Sequence, residues 1–268
     1  LMTIAVAIMA VATLAGKDYR VSTPNSMLVL TAKEGEPLYF RYYGIKADLT
    51  DVFSSYRAMK YEAFRVFGTH CSLPSACIIK HADGDNATKL VVEKVEETST
   101  ETMNILTVTL KEVARPFKVK LYYKAYKDCD VIKMSAEYIN DGKKPIILQK
   151  YMSAALPVKS EECWLMHIDG EHGSENNETF EPLTEGVKVL STMEGGFPSR
   201  HNNASFMLGT DNKISETEGN VIAGTLAWTG NFHIEFINNM ISKEPVIINA
   251  GINPTAADYT LDGKKSLM

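Results

Sequence analysis

The chain has 268 residues, 45% of them hydrophobic and 23% charged, which is enough to bury a sizeable core and unlike the composition of a disordered protein. A net charge of −5, with lysines and arginines scattered along the chain, leaves no basic face to neutralise phosphates and argues against a nucleic-acid partner.

Residues 2–15, from Met2 to Ala15, carry no charge. About a dozen apolar residues are too few for a hydrocarbon core that needs roughly twenty, so the stretch reads as the apolar region of a secretory signal. Ala10 and Ala12, or Thr13 and Ala15, would supply the small residues of a cleavage site. The chain opens on Leu1 with no basic segment, which reads as a partial leader over residues 1–16. The expectation is a secreted or periplasmic protein, free of the membrane in its mature form. The alternative is a buried first strand or helix.

From about residue 25 the apolar pattern has period two, the mark of half-buried strands. Strands are expected at 26–30, 38–43, 77–80, 89–95 and 102–110, with one short helix candidate at 51–61. Val119, Leu121, Tyr123 and Ala125 alternate with Lys118, Lys120, Tyr122 and Lys124, and Ile132, Met134, Ala136 and Tyr138 alternate with Lys133, Ser135 and Glu137. A turn at 127–130 makes these a hairpin with one wet face, and Asn140, Asp141 and Gly142 close it. Further strands are expected at 146–151, 187–191, 221–228, 232–236 and 245–250. Trp228, beside Leu226 and Ala227, is expected on a strand and buried. Many strands joined by polar turns, without a linker, predict one all-β domain over residues 25–268, a large antiparallel sandwich. An α/β barrel would require helices between the strands, and the pattern has none.

Cys71, Cys77, Cys129 and Cys163 are too sparse for a disulfide scaffold and too widely spaced for zinc, and read as buried free thiols. The densest polar cluster is His167, Asp169, Glu171, His172 and Glu175. Imidazole and carboxylate suit a metal, but only His167 and Asp169 share a strand face. The stretch of Gly, Ser and Asn around them reads as a loop pinning itself by hydrogen bonds, not as a rigid acid–base pair for glycoside cleavage. There is no Gly-x-Ser-x-Gly elbow, and no glycine-rich phosphate loop that follows a strand and opens a helix. His70 and Cys71 are sequence neighbours and would point to opposite faces of a strand. The residues by themselves thus show no active site.

Five stretches, in order, resemble the N-terminal domain of the α-galactosidases of glycoside hydrolase family 36. The first runs from Tyr61 to Ala76 with His81, Ala82, Asp83 and Gly84. The second is Asp130, Val131 and Ile132 with Tyr138, Asn140 and Gly142, followed by Ser153 and Ala154. The third is His167, Gly170, Glu175, Leu183, Gly186, Val189 and Ser191, and the fourth Gly195, Ser199, Asn203, Phe206 and Leu208. The fifth is Gly219, Leu226, Trp228, Gly230, Asn231, Phe232, Glu235, Gly251, Asn253, Pro254, Tyr259, Leu261 and Gly263.

The resemblance implies a galactose-mutarotase-like supersandwich placed before a catalytic (β/α)8 barrel, with α-galactosides as ligands, a homo-oligomer as the assembly, and no metal or organic cofactor. His167, Gly170, Glu175, Trp228, Gly230, Asn231, Asn253 and Pro254 become structural or domain-contact residues. A loop over residues 68–72 reaches toward a sugar pocket in several members and carries an aspartate there. In this chain Thr69, His70, Cys71 and Ser72 take that place as the implied substrate contacts. The family's nucleophilic aspartate lies in a Lys-Trp-Asp motif of the barrel. Trp164 is followed by Leu165 and Trp228 by Thr229, so the motif is missing and the chain alone is expected to be inactive. The rival expectation is a free-standing carbohydrate-binding or scaffolding sandwich, which an exposed strip of aromatics on one sheet face would favour.

Overall fold

A computed structural model describes residues 16–47, 61–69, 74–159, 162–195, 201–210, 214–215, 217–239 and 245–268. The leader stretch over residues 2–15, most of the helix candidate at 51–61, and His70, Cys71 and Ser72 lie outside the described residues. All regular structure among the described residues is β, as the period-two pattern predicts.

The strands form four antiparallel sheets. The first runs β1 (Lys17–Ser22), β2 (Ser26–Ala32), β3 (Tyr39–Ile45) and β4 (Tyr61–Glu62). The second is a meander of β6 (Leu90–Ser99), β7 (Met103–Glu112), β8 (Phe117–Tyr126) and β9 (Ile132–Asn140), with β19 (Lys265–Leu267) beyond β9. The third has the order β13 (Gly186–Ser191), β16 (Phe232–Asn238), β17 (Val246–Ile252), β10 (Ile146–Val158) and β18 (Tyr259–Leu261), and β5 (Cys77–Lys80) also pairs with β10. The fourth is β12 (Ser174–Pro182), β11 (Trp164–Glu171), β14 (His201–Gly209) and β15 (Val221–Thr225).

Alternation decides which face each strand buries. On β8, Phe117, Val119, Leu121, Tyr123 and Ala125 are buried while the lysines between them are half-exposed. They join Leu28 and Leu30 of β2, Val108 of β7 and Leu148 of β10 in the larger apolar core. A second core lies between the third and fourth sheets, built from Leu165, Leu190, Phe206, Leu208, Ile234, Phe236 and Ile248. The rings of Phe206 and Phe236 meet edge-on at 4.9 Å in its centre.

The described residues thus divide into four sheets around two cores instead of one clear two-layered sandwich. Strand β10 contributes to both cores. Register shifts at Leu148/Lys150 and Met152/Ala154 bend its thirteen residues, so that it pairs with β5 and β18 first and with β17 afterwards. Its first half faces the larger core through Ile146, Leu148 and Met152, and Val158 reaches the second.

The polar stretch around His167 is a strand hairpin, not the expected loop. Trp164 through Asp169 pair with Pro182 back to Asn177, and Gly173, at φ 82, makes the turn. Nearly every side chain of β12 is exposed, so no apolar alternation announced it, and the backbone ladder to β11 holds it in place. Cys77 and Cys163 are buried thiols as expected, whereas Cys129 is exposed on the β8–β9 turn. No helix among the described residues is long and apolar enough to cross a membrane.

Candidate domain-contact site

Phe232 opposes Ile252 at the ends of β16 and β17, which brings the stretches 228–231 and 253–254 together at one end of the third sheet. Asn253 Nδ2 donates to Thr192 O at 3.0 Å, and its Oδ1 accepts from Thr255 N–H at 2.9 Å. Asn253 N–H donates to Asn231 O at 3.0 Å, and Asn231 Oδ1 accepts from Gly195 N–H at 2.7 Å. Two asparagines therefore clamp three loops, those after β13, β15 and β17. Asn253 is buried, so each of these bonds replaces one that water would otherwise supply.

Trp228 lies on this platform and departs from expectation. Strand β15 ends at Thr225, and Trp228 stands beyond it, 46% exposed. Its indole Nε1 donates to Asn231 O at 3.2 Å, and a Cβ on Gly230 would lie 2.7 Å from that nitrogen. The ring is thus folded over the one residue type that leaves room for it. Met193, 53% exposed, is a second exposed large apolar side chain among the described residues of these loops. Pro254 opens a turn in which Ala257 N–H donates to its carbonyl, and Tyr151 OH donates to Ala257 O at 3.2 Å, tying the turn to the larger core.

His167 is buried on the core-facing side of β11, opposite Phe206. Its Nδ1 lies 3.1 Å from Asp169 Oδ1 and its Nε2 3.0 Å from Glu181 Oε1, so both ring nitrogens are occupied. Thr179 Oγ1 donates to Asp169, and Lys188 of β13 pairs with Glu181. Burial pushes the Glu181 carboxyl up, but hydrogen bonds from Lys188 and His167 outweigh it and hold the group below its ordinary value. The network joins the third sheet to the fourth. Of the other residues of this stretch, Gly170 is buried on β11, and Glu175 is exposed on β12, its carboxylate accepting from Gly173 N–H at 3.2 Å. The cluster read from sequence is therefore a pinned staple of His167 and Asp169, with Glu175 at the hairpin tip.

Gly68 has φ 104, in the region that favours glycine, and Thr69 Oγ1 donates to Val66 O at 3.1 Å. Sequence reading missed two charged centres. Arg115 donates to Asp83 and Asp85, each at 2.7 Å, and so braces the Ala-Asp-Gly turn. Lys150 of β10 donates to Glu235 of β16 at 2.7 Å, Asn249 of β17 donates to the same oxygen at 2.7 Å, and His233 Nε2 lies 3.3 Å from the other oxygen. Lys150 interrupts the apolar run of β10, and that interruption was the available signal.

The model of the glycosyl hydrolase family 36 N-terminal domain matches residues 34–262. The chain belongs to this family. Alpha-galactosidase Mel36A of Lactobacillus acidophilus is 26% identical over 204 residues, which are 70% of this chain and 27% of that protein. Alpha-galactosidase AgaA of Geobacillus stearothermophilus is 26% identical over 149 residues, 56% of this chain and 20% of its own length. The crystal structure of AgaA superposes with a TM-score of 0.82 at 18% identity, covering 94% of this chain and 39% of that one. The α-galactosidase of Lactobacillus brevis gives 0.83 at 17% identity, with 94% and 38% covered. This family 36 domain thus spans about a quarter of the first curated relative and under two-fifths of these solved chains.

Proposed function

We propose that this family 36 N-terminal domain is a non-catalytic part of an α-galactosidase, and that it packs on a catalytic barrel and helps to shape the barrel's active site. The observation that carries the reading is the family match over residues 34–262, together with relatives that are α-galactosidases several times longer than the matched part. The asparagine-clamped end is the contact surface. It gathers Trp228, Gly230, Asn231, Asn253 and Pro254, it ties three loops together by hydrogen bonds, and it offers Trp228 and Met193 to a partner. Loops so tied, with an exposed aromatic, lose less entropy on docking. The two apolar cores, joined through β10, support a supersandwich as the finer description of the fold.

Substrates of the assembled enzyme are terminal α-galactosides of oligosaccharides or galactomannan. Thr69, His70, Cys71 and Ser72 contribute to sugar recognition from the loop that Gly68 starts. The uncharged stretch at 2–15 supports export of the parent protein. A free-standing sugar-binding module gains little support, because Phe67, Phe180, Trp228 and Tyr259, the exposed aromatics among the described residues, sit on separate elements and make no strip.

Hydrogen exchange tests the contact surface. The chain alone is compared with a fusion that carries the catalytic part of a relative after Met268. Protection should rise at 192–195, 226–231 and 253–257. Unchanged exchange there, with protection elsewhere, would move the barrel to another face. For the loop, His70→Ala in that fusion should raise KM or lower kcat at an unchanged melting temperature.

A further inference from the structure

We propose that the free edge of β15 is a self-association surface, on which a second copy of this chain pairs its own β15 antiparallel about a two-fold axis at Ala223. Strand β15 ends the fourth sheet and pairs only with β14 among the described strands. Leu226 N–H donates to Ala204 O, and Thr210 N–H donates to Asn220 O. These bonds fix the phase of the ladder, so the residues of even number face β14 while Val221, Ala223 and Thr225 direct their N–H and C=O groups away from it.

Exposed sheet edges are ordinarily blunted by charge or proline. Among the described strands of five or more residues that end a sheet, β1 carries Lys17, Asp18 and Arg20, β6 carries Glu93, Lys94, Glu96 and Glu97, β12 carries Glu175, Glu178 and Glu181, and β13 carries Lys188. Strand β15 reads Val-Ile-Ala-Gly-Thr, with neither device. Among these described edges, that of β15 alone lacks such a device.

A second copy is the occupant that this edge fits. With Ala223 opposite Ala223, Val221 faces Thr225 and Thr225 faces Val221, and each of these is a narrow pair that exchanges two backbone hydrogen bonds. Continuing the same register sets Asn220 against Leu226 and Glu218 against Trp228, so no like charges meet. The outer face agrees. Phe180, Met166, Met207 and Ala223 lie directly across from one another on four strands, with Phe180 39% and Met207 43% exposed. Across the axis that apolar row would run on into the same row of the partner.

Sedimentation of the whole chain tests the pairing. The weight-average mass should climb toward twice the monomer value as concentration rises to roughly millimolar, and Ala223→Lys should return it to one chain with an unchanged far-ultraviolet circular dichroism spectrum. Register is tested in a background with Cys71 and Cys129 changed to serine. Ala223→Cys should oxidise to a disulfide dimer, because Cα atoms of a narrow pair stand about 5.5 Å apart. Thr225→Cys alone should not, but mixed with Val221→Cys it should. A chain that keeps the monomer mass up to that concentration overturns the proposal, as does a dimer indifferent to Ala223→Lys. Crosslinking of Thr225→Cys alone as fast as Ala223→Cys would also overturn it. So would a monomeric chain that binds a peptide of some other sequence along β15, since the edge would then belong to a different partner.

Discussion

Trp228 and Asn253 show how different two residues of one motif can be. Trp228 is half-exposed and holds one hydrogen bond, so Trp228→Ala should cost only about 1 kcal/mol, well short of the loss from a buried ring. In a Trp164→Phe background, its emission should be red-shifted and readily quenched by iodide. A blue-shifted, protected signal would return the ring to the core. Asn253→Ala removes a buried donor and a buried acceptor and leaves Thr192 O and Thr255 N–H without them, which should cost about 2 to 4 kcal/mol in urea denaturation. A cost below about 0.5 kcal/mol would mean that the asparagine clamp does not hold the loops.

Among the elements, β10, β16 and β17 are joined by side chains as well as by their ladders. Lys150 and Glu235 are both buried, and Asn249 completes the shell of the carboxylate. Burial raises the Glu235 carboxyl, but the hydrogen bond from His233 and the charge and bonds of Lys150 and Asn249 outweigh it, so the group lies below its ordinary 4.5. A carboxyl depressed by folding stabilises the protein above its unfolded value and loses that contribution as pH falls through the folded one. The contribution should therefore be complete above about pH 4.5 and fade below it. Glu235→Gln should remove this acid-side loss and, by leaving Lys150 buried without its counter-charge, cost about 3 to 5 kcal/mol at neutral pH. Parallel pH–stability curves for the two proteins would show that the pair is not coupled to folding. A Lys150→Met, Glu235→Leu double variant should recover most of the loss, since the desolvation of both charges disappears with them.

For the whole molecule, the sharpest expectation concerns activity. The chain holds no Lys-Trp-Asp motif, and Asp169 and Glu181 are bound to His167 in a staple, so the purified chain should not turn over an aryl α-galactoside. Hydrolysis above the buffer rate, abolished by Asp169→Asn or Glu175→Gln, would overturn both that reading and the role given to the hairpin.

What the sequence determined by itself was the all-β class and most of the strands, because alternation on β8 and β9 is a local property that survives without knowledge of partners. It also carried the motif residues of the domain end, through their resemblance to a known family. Their geometry was not legible. Trp228 follows two apolar residues and so looks buried, and only the meeting of the three loops shows that it lies outside β15, folded over Gly230. The hairpin of β11 and β12 was hidden because β12 is polar but for Phe180 and Pro182 and is held by its ladder. The change of partners along β10 depended on its bulges, which leave no mark in a hydropathy pattern. The Lys150–Glu235 pair likewise required three strands to be brought side by side, since residues 85 positions apart become neighbours only through strand order and register.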